Sequence, residues 1–250
     1  VTISTATTTT SPSRAPLAGF AAQLLLLATL AIFAGLSSWG WLSGIVFGAV
    51  LCGLLHRAAL PALGWANLIT FGRAILTGGV TALVFSAASG VDVSAMLLVT
   101  IAAIALAMDG VDGQVARRTG TTTEFGARFD MEVDAFLILV LSVSAALEHG
   151  WWALAIGAFR YAFVAASWAL PWLNAALPPR FGRKVVAAQQ GIMLAVVVSG
   201  LLPSWLAVAA LVVALGSLTW SFGRDIGWLY QASRVRQTAR KRWSATLVTQ

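Results

Sequence analysis

The sequence predicts an all-α integral membrane protein of eight transmembrane helices, and three observations carry that expectation. The 250-residue chain is 59% hydrophobic and only 10% charged, with a mean hydropathy of +0.85, whereas a soluble domain carries roughly 25% charged residues. Residues 15–55 contain no charged side chain, which suffices for two crossings at about 20 residues each. The Lys and Arg residues of the connections fall on alternate connections, as a multi-pass topology requires.

In chain order, residues 1–14 form a Ser/Thr-rich segment without apolar periodicity, expected to be a disordered cytosolic tail. Residues 15–57 read as a two-helix transmembrane hairpin turning near Ser37, Ser38, Trp39 and Gly40. A cleaved signal peptide is the competing reading, but Arg14 is a weak basic flank and no small-residue cleavage site follows. Pro61 and Gly64 break the chain after His56 and Arg57. Further spans are expected at 66–88, 94–116, 127–148, 151–172, 184–201 and 204–222, within a membrane domain of residues 64–222. Residues 223–250 form a basic C-terminal tail, either solvated or lying on an anionic membrane surface.

With both termini in the cytosol, the inner connections hold Arg57, then Arg117, Arg118 and Arg128, then Arg180, Arg183 and Lys184. The tail adds Arg224, Arg234, Arg236, Arg240, Lys241 and Arg242, and the outer connections hold no Lys or Arg. The net charge of +7 is therefore a topology signal and not a nucleic-acid footprint. Cys52 is the single cysteine and can form no intrachain disulfide. Trp39, Trp41, Trp65, Trp151, Trp152 and Trp205 lie near span ends and read as interface anchors.

The acids are scarce and clustered. Asp109 and Asp112 are three apart at the inner end of one expected helix, and Asp130 and Asp134 are four apart at the start of the next. Each pair shares a helix face. Four carboxylates at one membrane depth repel one another, and in sequence the nearby basic residues are Arg117, Arg118 and Arg128. Divalent cations with oxygen ligands, Mg²⁺ or Mn²⁺, are the expected counter-charge, and two of them would suit displacement at phosphorus. Gly110, Gly113 and Gly126 leave room for close approach.

Asp109-Gly-Val-Asp112-Gly113-Gln-Val-Ala116-Arg117, eight residues, Gly126, three residues, Asp130, three residues, Asp134 resembles the CDP-alcohol phosphatidyltransferase signature D-x2-D-G-x2-A-R-x8-9-G-x3-D-x3-D at every fixed position. Asn67-Leu-Ile-Thr70-Phe-Gly-Arg73 resembles the N-x2-T-x2-R that opens the family's first core helix. Gly182, Arg183 and Gln189 weakly resemble a G-K-x-K-T-x2-Q segment, with Val185 and Val186 departing from it.

The resemblance implies a six-helix core over about 64–222, preceded by two additional N-terminal helices, in a homodimer of a bacterial-type plasma membrane with its site facing the cytosol. It implies two divalent cations on Asp109, Asp112 and Asp130, with Asp134 shared between metal binding and deprotonation of the acceptor hydroxyl. It assigns Asn67, Thr70, Arg73, Gly113, Ala116 and Arg117 to the CDP-linked lipid donor. Arg160, near the middle of its expected span, would join Arg180, Arg183 and Lys184 around an anionic acceptor such as glycerol phosphate or inositol phosphate. The implied reaction is phosphatidyl transfer from a donor such as CDP-diacylglycerol, with release of CMP. An intramembrane prenyltransferase and a divalent-ion transporter are the alternatives; the first spaces its acids differently, and the second places them nearer the midplane.

Overall fold

The computed structural model describes residues 15–57, 65–119, 124–178 and 180–248, with side chains described except at 15, 65–68, 111–119, 124–125, 237 and 239–248. The expected N-terminal tail falls outside them. Among the described residues the chain is all-helical, with eight α-helices: α1 (Ala15–Ala34), α2 (Ser38–Arg57), α3 (Trp65–Ala88), α4 (Ala95–Thr119), α5 (Glu124–His149), α6 (Leu154–Ala169), α7 (Phe181–Val198) and α8 (Ser204–Val248). Short 3₁₀ turns precede and follow α6.

The apolar runs become helices where expected, with two differences. Among the described residues six helices are long and apolar enough to cross a membrane: α1, α2, α3, α6 with its preceding turn, α7 and α8. This makes a multi-pass membrane protein, but by that measure it does not bear out a count of eight. The described side chains of α4 give an apolar stretch of Ala95–Gly110, and the charged residues of α5 lie inside that helix itself. The second difference is α8, which does not stop near 222 but runs 45 residues without a break. Its basic half contains no proline and is rich in Arg, Lys, Gln and Ala, all good helix formers.

The chain divides into two compact units at Val140, within α5. In the first, α3 is the central helix, buried for most of its length against α1, α2 and α4. Gly40, Gly44 and Gly48 form a buried seam on α2. A Cβ at Gly40 would meet Ser86 Oγ and, at 2.7 Å, the Ala82 carbonyl oxygen of α3, while one at Gly44 would lie 2.5 Å from Leu27 of α1. Such small-residue seams let membrane helices approach closely. The turn between α1 and α2 is tied to the end of α3: the Ser37 N–H donates to Ser86 Oγ at 3.1 Å, and the Ser89 hydroxyl donates to Ser37 Oγ at 2.7 Å. Gly35 (φ 69°) and Gly90 (φ 91°) take the left-handed conformations that end α1 and α3.

Below this seam, Leu51 and Leu55 of α2 pack with Phe71 and Ala74 of α3 and Val133 of α5, flanked by Phe47, Ile75 and Phe129. Phe47 stacks on Phe136 with ring centroids 5.1 Å apart. The N-terminal hairpin thus supports the stretch of α5 that carries Asp130 and Asp134. Gly40→Val is expected to cost about 1–3 kcal/mol by forcing α2 off α3, read as a lower unfolding temperature of the detergent-purified protein.

In the second unit α7 packs along α8, and Phe159 and Phe163 of α6 meet Phe222 of α8 at centroid distances of 5.5 and 5.6 Å. Buried Gln190 donates from its amide to the Ala214 carbonyl oxygen at 3.0 Å and to Ser217 Oγ at 3.2 Å, fixing α7 on α8.

Candidate metal centre

The site is built by three helices of the first unit. Asp109 stands near the C-terminal end of the apolar stretch of α4, and Asp130 and Asp134 stand one turn apart near the start of α5. Val133, between them in sequence, points instead into the apolar cluster with α2 and α3. Helical periodicity thus separates a carboxylate face of α5 from its packing face. Asp109, Asp130 and Asp134 each offer a carboxylate oxygen, and these oxygens lie within 4.8 Å of one another. All three side chains are partly exposed, so the cluster opens on one side.

At the centre of the cluster is Arg73 of α3, whose side chain is 0% exposed. Its Nη1 donates to Asp109 Oδ1 at 2.7 Å. Its Nη2 lies 2.7 Å from Asp130 Oδ1 and 2.8 Å from Asp134 Oδ1, and donates to the Asp130 carbonyl oxygen at 3.1 Å. The planar guanidinium suits this role, because its donors diverge in a fixed fork and can reach several carboxylates at once. The position is held from behind: Thr77 donates its hydroxyl to the Arg73 carbonyl oxygen at 2.9 Å, and Thr81 does the same to Thr77 at 2.8 Å.

This placement corrects the expectation drawn from linear sequence. The cations at the acids are not confined to Arg117, Arg118 and Arg128: among the described residues Arg73, 36 residues before Asp109, contacts all three carboxylates. Arg73 was expected on the CDP donor beside Asn67 and Thr70, and its guanidinium lies among the carboxylates. Thr70 is buried one turn before it. Asn67 lies on α3, and Asp112, Gly113, Ala116 and Arg117 lie on α4, but the side chains at these positions are outside those described. Gly126 lies one turn before Asp130 on α5 and is half-buried, and Gly110, next to Asp109, faces open space.

The residues expected around the acceptor belong to the second unit. Arg160 is half-buried near the middle of α6, Arg180 is the N-cap residue of α7, and Lys184 is exposed. Arg183 donates to the Pro178 carbonyl oxygen, and its Nε lies 3.6 Å from Asp225 Oδ2. Asp225 is buried on α8 and had no part in the sequence reading. Its signal was a single acid inside a run of basic residues. Arg224, beside it, brings its guanidinium to about 4.0 Å from where a Cβ on Gly182 would stand.

Carboxylates gathered on helices of a membrane protein, with oxygens close enough to share a cation, make a candidate site for a divalent ion. The chain belongs to the CDP-alcohol phosphatidyltransferase family, whose sequence profile matches residues 63–218. No curated protein and no solved structure matches the chain. Family membership makes the chain a transferase acting from a CDP-alcohol, and sets aside the prenyltransferase and transporter alternatives. The matched residues contain α3 to α7 and the first part of α8, up to Leu218, and leave α1 and α2 outside. The family uses divalent metals, and the donor set here fits them: hard carboxylate oxygens from two helices, close together and open on one side.

Proposed function

We propose that the protein transfers a phosphatidyl group from a CDP-linked lipid such as CDP-diacylglycerol to an alcohol, releasing CMP, in phospholipid biosynthesis. The observation that carries this reading is the convergence of Asp109, Asp130 and Asp134 within the segment that the family profile matches. Asp109, Asp112 and Asp130 hold two divalent cations, Mg²⁺ or Mn²⁺, with Asp134 in partial contact. The cations supply positive charge to the phosphoryl oxygens and lower the cost of charge on the departing phosphate.

Asp134 takes the proton of the acceptor hydroxyl. The hydroxyl oxygen bonds to the phosphorus that carries the lipid, and the bond from that phosphorus to the bridging oxygen breaks, so CMP leaves with the electron pair. Asn67, Thr70, Gly113, Ala116 and Arg117 hold the donor headgroup, Arg117 suiting a diphosphate through bidentate contact. Arg160, Arg180, Arg183 and Lys184 favour an anionic acceptor, a phosphorylated polyol before a neutral amino alcohol. The Asp225 contact orients Arg183 within that group. The enzyme works as a homodimer with its site on the cytosolic face and both termini in the cytosol.

The test is CMP release from CDP-diacylglycerol by detergent-purified protein, with Mg²⁺ or Mn²⁺, against glycerol phosphate, inositol phosphate, serine and a phospholipid acceptor. One acceptor is expected to raise CMP release well above the acceptor-free rate, a phosphorylated polyol before the others. Absence of both CMP release and metal-dependent donor binding in folded protein would overturn the reading.

A further inference from the structure

We propose that Arg73 is the resident counter-cation of the metal centre, exchanged for divalent cations when they bind. The proposal rests on the metal reading given under Proposed function and adds to it how the centre stays assembled while empty. One guanidinium contacts Asp109, Asp130 and Asp134 at 2.7, 2.7 and 2.8 Å. The same three side chains supply the oxygens that lie within 4.8 Å of one another. The arginine and a metal ion therefore draw on one donor set.

The charges explain why an arginine is there. Three carboxylates brought this close, with no cation between them, would push α4 and α5 away from each other. A guanidinium anchored on α3, the buried central helix, meets both helices at once and neutralises part of that repulsion. One positive charge against three negative ones leaves these four side chains with a formal charge of −2 among themselves, which attracts a divalent ion. Mg²⁺ binds oxygen at about 2.0–2.1 Å and requires near-octahedral geometry. An ion that took the Oδ1 atoms now 2.7–2.8 Å from the Arg73 nitrogens would require those carboxylates to turn away from the guanidinium. Arg73 then loosens from the acids and becomes a positive group beside the incoming diphosphate. Its place in the N-x2-T-x2-R segment fits both duties, first on the acids and then on the donor.

A role confined to shaping the site predicts the opposite response to substitution, so the two are separable. Mn²⁺ binding is measured by the loss of free-ion electron paramagnetic resonance signal, using full-length protein in detergent. Thermal unfolding is followed in EDTA and in saturating Mn²⁺. Arg73→Gln is expected to bind Mn²⁺ at least about tenfold more tightly than the unaltered protein, because a competing charge a few ångströms away is gone. It is expected to unfold at a clearly lower temperature in EDTA, with most of the deficit closed by Mn²⁺. Arg73→Lys keeps the charge without the fork and is expected to fall between the two; it also serves if Arg73→Gln does not fold in EDTA. Weaker Mn²⁺ binding in both variants, or an unfolding deficit that Mn²⁺ leaves unchanged, would overturn the exchange while leaving the metal reading intact. No Mn²⁺ uptake by the unaltered protein would remove both.

Discussion

Asp134→Asn is expected to lower CMP release by about 10²–10⁴-fold, the usual contribution of a positioned general base, while the unfolding temperature stays close to that of the unaltered protein. The fold should tolerate the change because Asn keeps the shape of the side chain. Arg73 also retains Asp109 and Asp130 as partners at 2.7 Å. The loss should shrink for an acceptor with a more acidic hydroxyl, which depends less on proton removal. A loss of similar size that excess Mg²⁺ repairs would instead mark Asp134 as a metal ligand with no part in proton transfer. The measurement is steady-state CMP release across acceptors and metal concentrations, paired with a thermal melt.

Chelation should have an effect at least as large. Stripping divalent ions with EDTA is expected to reduce CMP release by about 10³-fold or more, the rate equivalent of several kcal/mol of charge stabilisation at phosphorus. Added Mg²⁺ or Mn²⁺ should restore it. The protein should remain folded in EDTA, as read by circular dichroism, because Arg73 holds α3, α4 and α5 together at the acids. Activity that persists in EDTA would mean that the guanidinium and the other basic groups manage the phosphoryl charge unaided.

The sequence made the helices legible and their contacts much less so. Apolar runs and the Gly, Pro and charged residues between them located α1 to α7 to within a few residues, since hydropathy and chain breakers act locally. Where α8 ends was misread because the appearance of Arg and Lys marks the end of an apolar span, not the end of a helix; these residues propagate a helix well. The aspartates were legible through their spacing, which is a property of one or two adjacent helices. Arg73 lies on α3, and a count of charges close in sequence to the acids could not bring it to them. Nothing in the spacing of residues 15–57 showed that Phe47, Leu51 and Leu55 would pack beside Phe136 and Val133. Nothing local singled out Asp225, because its partner, Arg183, lies 42 residues earlier in the chain, on α7.

The unbroken course of α8 changes what its basic half can do. At 1.5 Å per residue, its 45 residues make a rod of about 67 Å, against a hydrocarbon layer of about 30 Å. Even at a 40° tilt, the upper end of the usual range, roughly 20 Å of its height must stand clear of the hydrocarbon layer. A flexible tether would let Arg234 and Arg236 sample a volume and meet partners by diffusion. A continuous helix instead holds them at a set height and azimuth, so any docking partner must come to a fixed position. Two glycines inserted after Arg224 would turn that mast into a hinge, with no change of charge.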